Sequence, residues 1–348
     1  MPFFNPPPST GGGEGEGEIY SQMNKFIVLL FHSTDDQNRL SLKDLGNIHP
    51  DQFEKVLVAL KKDFDIVSLQ ESVECISKRG SSKERLLSLT FDDGPKSYAV
   101  NAAPIMDSLG IPSACFLITG CVEDRTVYWR YLYNFCINIG KGMELANLIN
   151  TEYGVSIQQK DVIKFTRNNY DKGKNKNIMK SIFKEIVSED EYRDRERELF
   201  LSTGDIEALK KKPSVTFGIH THTHPVMMKL NDDDIDAEIS ESLNFYKSNI
   251  QNVIPMFSIP FGRLYKDYDE RTILSARSHS IDVILSAYGG DNKIVQPPYN
   301  IRRLPVNEGM LKDGVGSFIR SLNDIEAPTE YGEKEEYLNS MIREKWSF

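Results

Sequence analysis

Short apolar runs recur along the chain at intervals that leave room for a helix between them. Phe26–Phe31, Leu86–Phe91, Ala114–Ile118 and Val215–Ile219 are apolar at most positions. Runs of this length that are apolar on both faces are typical of buried strands in a parallel sheet. Shorter candidates bring the expected number of strands to seven or eight: Ile66–Val67, Val253–Phe257, Val283–Ser286 and Ile301–Val306.

Helical periodicity occupies most of the intervals between these runs. Pro50 begins one amphipathic helix, and Asn231 is predicted to cap a second. Ser97 is predicted to cap a third helix, which carries Val100 and ends at Gly110. The apolar faces of the first two are Phe53, Val56, Leu57, Leu60 and Ile235, Ile239, Leu243, Tyr246. Alternating strands and helices predict an α/β fold, either a doubly wound sheet or a (β/α) barrel, which seven or eight strands suffice to close.

The alternation is interrupted between about 122 and 212, where helical patterns follow one another directly. We interpret this part as a helical insertion that covers one end of the sheet and shapes a cleft there. Its Lys- and Glu-rich stretch, 174–198, is expected to be a solvated helix face. Residues 1–22 are rich in Pro, Gly and Glu and predict a disordered tail. The domain is therefore expected over 23–322, with a charged tail over 323–348.

The composition is that of an ordinary globular protein and excludes several functions. Of 348 residues, 39% are hydrophobic and 27% charged, and the net charge of −9 disfavours binding to nucleic acid or anionic membranes. No apolar run is long enough to span a membrane, and no export signal is recognised. The four cysteines form no C-x-x-C pair and are expected to be reduced, so we predict a cytoplasmic location.

Two adjacent carboxylates, Asp92 and Asp93, follow the strand predicted at Leu86–Phe91, and Gly94-Pro95 turns the chain immediately afterwards. Two negative charges at the end of a buried strand are costly unless a cation, a substrate or a proton shares them. A solvated turn or a helix cap is the structural alternative.

Histidines follow the strand predicted at Val215–Ile219 in the sequence His220-Thr221-His222-Thr223-His224. Because the carboxyl ends of parallel strands share one face of the sheet, we expect these histidines near the Asp pair. His220 and His224 with one Asp would form a two-histidine, one-carboxylate metal site, with His222 turned away. A divalent ion lowers the pKa of the water it binds towards about 7, and the second Asp could accept that proton. The reaction expected is hydrolysis at a carbonyl.

Together these residues resemble the polysaccharide deacetylase family, also called carbohydrate esterase family 4 or the NodB-homology domain. Thr90-Phe91-Asp92-Asp93-Gly94-Pro95 matches its first motif, His220 to His224 its H-[ST]-x-x-H motif, and Pro260-Phe261-Gly262 is similar to its third. The resemblance implies a distorted barrel of about seven strands and a divalent metal, most commonly Zn²⁺, bound by Asp93, His220 and His224. Asp92 would be the general base, and the Phe261 N–H would stabilise the oxyanion. The implied reaction removes N-acetyl groups from amino sugars of a glycan or its precursor.

This chain departs from the family pattern at two points. Ser258 stands where the third motif usually has an arginine that orients the base. The Leu-x-His that supplies the general acid has no counterpart near Leu285 or Leu304. His32, at the end of the first strand, is our candidate for a pocket residue or a replacement acid, whereas His279 is expected to be structural.

Three other functions stay open on the sequence. Loss of the family's arginine and acid would suit a carbohydrate-binding protein with little or no catalysis. Some similar proteins hydrolyse other linear amides. A two-histidine, one-carboxylate set also occurs in non-haem iron oxygenases, although these usually pair His and Asp within one short motif. The sequence indicates no oligomeric state.

Overall fold

The computed structural model describes residues 25–78, 85–250, 256–293 and 297–346. The tail predicted over 1–22 and most of the strand predicted at Val253–Phe257 lie outside these ranges. Within the described residues, nine strands belong to one sheet. They are β1 Lys25–Phe31, β2 Asp65–Ile66, β3 Leu86–Phe91, β4 Ser113–Leu117, β5 Val215–Ile219, β6 Phe257–Ser258, β7 Ile284–Leu285, β8 Asn292–Lys293 and β9 Leu304–Pro305.

Seven parallel strands form the wall of a distorted (β/α) barrel, as predicted. Their order is β7-β6-β5-β4-β3-β1-β9, with the short β2 and the antiparallel β8 alongside. The segment around β9 connects the two ends of this order. Ile301 pairs with Leu285 in β7, and Leu304 pairs with Leu29 in β1. The segment 301–305 therefore acts as the closing strand of the barrel.

Alternation along the strands separates the barrel interior from the surrounding helices. In β1, Phe26 and Val28 belong to a cluster of apolar side chains inside the barrel. Ile27 and Leu29 point outward and pack against the helices. In β3, Leu86 likewise lies on the interior side. Since successive side chains of a strand point to opposite faces, this register continues inward at positions 88, 90 and 92.

Fourteen α-helices lie in the described residues. They are α1 Pro50–Asp63, α2 Leu69–Lys78, α3 Ala103–Ser108, α4 Trp129–Cys136, α5 Gly142–Tyr153, α6 Val162–Asn168, α7 Lys172–Glu185, α8 Glu189–Arg195, α9 Thr203–Leu209, α10 Asp232–Asn249, α11 Glu270–Ser278, α12 Glu308–Leu311, α13 Val315–Asn323 and α14 Gly332–Trp346. Helices α4 to α9 all lie between β4 and β5, in the part interpreted as an insertion.

All three predicted helix starts are found, but the predicted capping role of Ser97 is wrong. Helix α1 begins at Pro50 and buries its four predicted apolar residues, and the Asn231 side chain caps α10 by accepting the Asp234 N–H at 2.8 Å. The Ser97 side chain makes no cap bond; its Oγ accepts the Thr34 N–H at 3.1 Å instead. The chain after Ser97 starts with a wide π-helical turn, which rotates Val100 towards solvent, where 51% of it is exposed.

The segment after α13 is packed against the domain. Arg302 donates from Nε to Glu335 of α14 at 2.7 Å, and the rings of Tyr288 and Tyr331 stack with centroids 4.0 Å apart. In the described part of the chain, no helix is long and apolar enough to cross a membrane. The four cysteines are free thiols, three of them buried.

Candidate active site

Three chain turns at the carboxyl ends of β3, β5 and β6 meet at one end of the barrel. Each turn contains a non-glycine residue with positive φ: Asp93 at +69°, His224 at +59° and Phe261 at +60°. Such conformations are costly for L-residues and concentrate at functional sites. Gly262 at φ +66° completes the third turn, where an added Cβ would lie 2.4 Å from the Ala287 nitrogen. The backbone is thus bent sharply at each position predicted to carry chemistry.

Asp93, His220 and His224 form a buried group whose ligand atoms lie within 4.8 Å of one another. Both His Nε2 atoms are 3.6 Å from Asp93 Oδ1, an atom that is buried and accepts no hydrogen bond from the described residues. His220 Nδ1 lies 2.7 Å from the Ser258 carbonyl, which must accept its proton, so Nε2 carries a free lone pair. An orphaned carboxylate oxygen facing imidazole nitrogens fits a divalent metal, and the donor set suits zinc.

His222 is turned away from this group, as the spacing of the histidines predicts. Its Nδ1 lies 3.1 Å from Thr119 Oγ1, and its Nε2 is 3.5 Å from a Glu241 carboxylate oxygen. The tight turn is held by Glu238 of α10, a buried carboxylate that accepts the N–H groups of His222 at 3.0 Å and Thr223 at 2.7 Å. The sequence does not single out Glu238, since an acidic residue within an amphipathic helix usually faces solvent.

Asp92 points into the barrel and is held by an arginine that sequence analysis missed. Arg303 donates to Asp92 Oδ1 at 2.7 Å and to Oδ2 at 2.8 Å, and Ser258 Oγ donates to Oδ2 at 3.0 Å. Burial alone would raise the Asp92 pKa, but the charge and hydrogen bonds of Arg303, together with His220 and His32, lower that pKa to about 2. Arg303 thus makes the contact with Asp92 that the resemblance led us to expect from an arginine at position 258. The one signal in the sequence was the pair Arg302-Arg303 within an otherwise apolar extended segment, and the sequence does not say which of the two faces the site.

Aromatic residues of the insertion cover the candidate metal ligands. Tyr131 of α4 donates its hydroxyl proton to Asp93 Oδ2 at 2.9 Å, and the Tyr128 hydroxyl lies 2.9 Å from His224 Nδ1. The Trp129 indole N–H donates to the His224 carbonyl at 3.3 Å. Tyr128, Trp129 and Tyr131 are each at least 97% buried. The insertion therefore supplies hydrogen bonds that orient two of the three candidate metal ligands.

Replacing Tyr131 with phenylalanine should weaken metal affinity by about tenfold, because groups that hydrogen-bond to metal ligands typically contribute 10- to 100-fold. The variant removes the hydrogen bond to Asp93 Oδ2 without removing the ring. Tyr133→Phe is the matched control. The buried hydroxyl of Tyr133 also donates to a side chain, that of Asn175, but lies outside the site. Competition with a metal-sensitive dye measures both affinities. Equal affinities in the two variants would contradict this role of Tyr131.

His32, at the end of β1, lies beside the same carboxylates. Burial lowers its pKa, while Asp93 and Asp92 act in the opposite direction. The side chain is half-buried and its Nδ1 lies near Gly46, where an added Cβ would approach it to 3.4 Å. His279, by contrast, ends α11 and pairs with Asp236 at 2.7 Å.

Phe261 borders the site with both its backbone and its ring. In the described part of the chain its N–H donates no hydrogen bond, unlike that of the next residue, Gly262, which donates to Pro260 at 2.7 Å. The ring lies edge-on to His224, with centroids 4.8 Å apart, and 6.1 Å from Trp129. A residue that contacts a candidate metal ligand thus has a backbone N–H without a hydrogen-bond partner among the described residues.

Several solved deacetylase structures have a similar fold. The Streptococcus pyogenes deacetylase PplD in complex with acetate is 15% identical, with a TM-score of 0.57 over 85% of this chain and 97% of that one. IcaB from Ammonifex degensii is 16% identical, with a TM-score of 0.55 over 85% and 98%. A de-N-acetylase from Aggregatibacter actinomycetemcomitans is 13% identical, with a TM-score of 0.55 over 85% and 100%.

Comparison with curated protein sequences gives no match. Comparison with models of protein families gives a more specific result. The sequence model of the family described as polysaccharide deacetylase matches residues 79–284, more than half of the chain, and this range includes all three motifs. The chain therefore belongs to the polysaccharide deacetylase family.

Proposed function

We propose that the protein is a metal-dependent hydrolase that removes N-acetyl groups from amino sugars of a polysaccharide or glycan precursor. The observation that carries this proposal is the convergence of Asp93, His220 and His224 around an unpartnered carboxylate oxygen, with Asp92 directly adjacent. Membership of a family of hydrolases acting on carbon–nitrogen bonds supports the same reaction.

Asp93, His220 and His224 would hold the metal, for which two imidazoles and a carboxylate favour Zn²⁺. A bound divalent cation supplies a Lewis acid that acidifies water and polarises the amide carbonyl. His224 presents a neutral imidazole, because burial and, to a smaller extent, the neighbouring His220 lower its pKa well below the usual value. Neutral histidine and ionised aspartate are the protonation states that metal binding requires.

Asp92 would accept the proton of the attacking water as general base. Its carboxylate is fixed in one orientation by Arg303 and Ser258, so little reorganisation precedes proton transfer. The Phe261 N–H would donate to the developing oxyanion, a contact typically worth about 3 kcal/mol. His32 would return a proton to the leaving amine. Because burial lowers its pKa, His32 rests neutral and would have to gain, during the reaction, the proton that Asp92 takes from water before passing a proton to the amine.

His224→Gln should abolish stoichiometric zinc binding, whereas His222→Gln should retain it. The two residues lie in the same turn, but only His224 faces Asp93 Oδ1, at 3.6 Å, while His222 faces Glu241. At about 100 times its dissociation constant, zinc should raise the free energy of unfolding by about 2.7 kcal/mol in wild type and His222→Gln. Elemental analysis and denaturant titrations measure both effects. Zinc loss in His222→Gln with retention in His224→Gln would overturn the ligand assignment.

Acetate release from N-acetylated amino-sugar oligomers by the zinc-loaded protein tests the proposed function. The expected result is one free amine per acetate released. Saturable oligomer binding without acetate would support a carbohydrate-binding protein instead. Release of ammonia or acid from other linear amides would move the assignment to those substrates, and iron-dependent oxygen consumption would indicate an oxygenase.

A further inference from the structure

Two arginines, Arg130 and Arg167, lie against the ring of Phe261 at the edge of the candidate site. A third, Arg263, shares the carboxylate of Asp267 with Arg167, and we call the three the arginine cluster. The Arg167 guanidinium lies 4.4 Å from the Phe261 ring centroid, and that of Arg130 lies 5.5 Å from it. The same ring contacts the candidate metal ligand His224. Two cationic groups are thus separated from the metal-binding group by little more than one aromatic ring.

A single carboxylate neutralises part of this cluster. Asp267, whose side chain is fully buried, accepts Nε of Arg263 at 2.8 Å and Nε of Arg167 at 3.0 Å. Arg130 has no carboxylate within ion-pair distance among the described residues, and its Nε is buried without a hydrogen-bond partner. Three guanidinium groups and one carboxylate leave two positive charges in excess, in a chain whose net charge is −9.

The unpaired charge of Arg130 acts on its neighbour Arg167. The pKa of Arg167 is lowered, chiefly by burial, and Arg263 and Arg130 add to that lowering. Partly buried cations that repel one another are stabilised by an anion, and a planar guanidinium matches the two oxygens of a carboxylate or phosphate.

We propose that Arg130, supported by Arg167, binds an anionic oxygen group of the substrate, a phosphate or a carboxylate, next to the N-acetyl group that reacts. This inference rests on the proposed function, because it places the anion on the molecule whose acetamide meets the candidate metal site. It defines the substrate as an acidic N-acetylated amino sugar rather than a neutral oligomer. Arg263 holds Asp267 and so limits how far Arg167 is neutralised.

The test compares dissociation constants of three small probes: N-acetylglucosamine, which is neutral, N-acetylglucosamine 1-phosphate and N-acetylmuramic acid, which carries a carboxylate. Calorimetry with zinc-loaded protein should show at least about tenfold tighter binding of one or both anionic probes than of the neutral one, as expected for a charge-assisted hydrogen bond. In Arg130→Gln the anionic-to-neutral affinity ratio should fall towards one. The probe whose ratio falls further identifies the anion.

Arg197→Gln is the control, because Arg197 is a surface arginine with 70% of its side chain exposed, paired only locally with Asp194. It should leave the affinity ratio unchanged. Anionic probes that bind no tighter than the neutral one would overturn the proposal. So would an affinity ratio that survives in Arg130→Gln, since the anion would then bind the metal alone.

Acetate release from the same probes separates this inference from the proposed function. If the affinity ratio falls as expected but no probe releases acetate, the anion site stands and the deacetylase assignment fails. If all three probes release acetate with equal kcat/KM in wild type and bind equally well, the deacetylase assignment stands and the anion site fails.

Discussion

Asp92→Asn is expected to reduce the rate of acetate release by about 10³-fold, within the range that general acid–base catalysis contributes. The amide cannot accept the proton of the attacking water, although it has nearly the shape of the carboxylate. Zinc content should be unchanged, because Asp92 is not among the candidate metal ligands Asp93, His220 and His224. Single-turnover acetate release and elemental analysis on the same preparation measure the two quantities.

Asp236→Asn provides the matched control for this variant. Asp236 is an exposed carboxylate that also faces a histidine, His279 at 2.7 Å, but it lies outside the site. Its acetate release should equal that of wild type. An Asp92→Asn protein that binds zinc and retains full activity would exclude Asp92 as the base and, with it, the proposed division of roles between the two aspartates.

Arg303→Met should lower the free energy of unfolding by about 3–5 kcal/mol, the cost of leaving one member of a buried ion pair without its partner. Arg303 is fully buried, and Asp92 is 2% exposed, so water cannot replace the lost hydrogen bonds. Activity should fall as well, because Asp92 would lose the contacts that orient it. Arg303→Lys keeps the charge without the paired donors and should recover part of the stability but less of the activity.

Two further variants separate positioning of the base from general destabilisation. Arg302→Met removes the neighbouring arginine, which pairs with Glu335 away from the site, and should destabilise the fold without changing kcat. The double variant Asp92→Asn, Arg303→Met should be no less active than Asp92→Asn alone, because Arg303 acts through a carboxylate that is then absent. A further multiplicative loss in the double variant would show that Arg303 acts independently of Asp92.

The strands and the three turns were predictable because their signals are local. Leu86–Phe91 and Val215–Ile219 have the same bounds in sequence and structure, since a short run that is apolar on both faces has few alternatives to a buried strand. The meeting of Asp93 with His220 and His224 followed from the rule that parallel strands end on one face.

The partners of those residues were not predictable, because they are set by tertiary register. Arg303 is 211 positions from Asp92, and its place in the closing strand depends on the pairing of Ile301 and Leu304. The role of Tyr131 cannot be recognised from the sequence either, since an aromatic residue at helical spacing usually indicates core packing. The prediction that Ser97 caps a helix was wrong because the rule is local, whereas the Ser97 hydroxyl binds the N–H of Thr34, which is distant in sequence.

The position of Arg303 in the closing strand imposes an order on biosynthesis. During translation, Asp93, His220 and His224 leave the ribosome well before Arg303, so a complete ligand set exists while Asp92 still lacks its counter-charge. The candidate metal ligands of a nascent chain are thus synthesised before the group that orients the candidate base. The last parallel strand to emerge closes the barrel and completes the candidate catalytic carboxylate in the same step. A polypeptide released before residue 303 would contain the three candidate metal ligands but lack the arginine that holds Asp92.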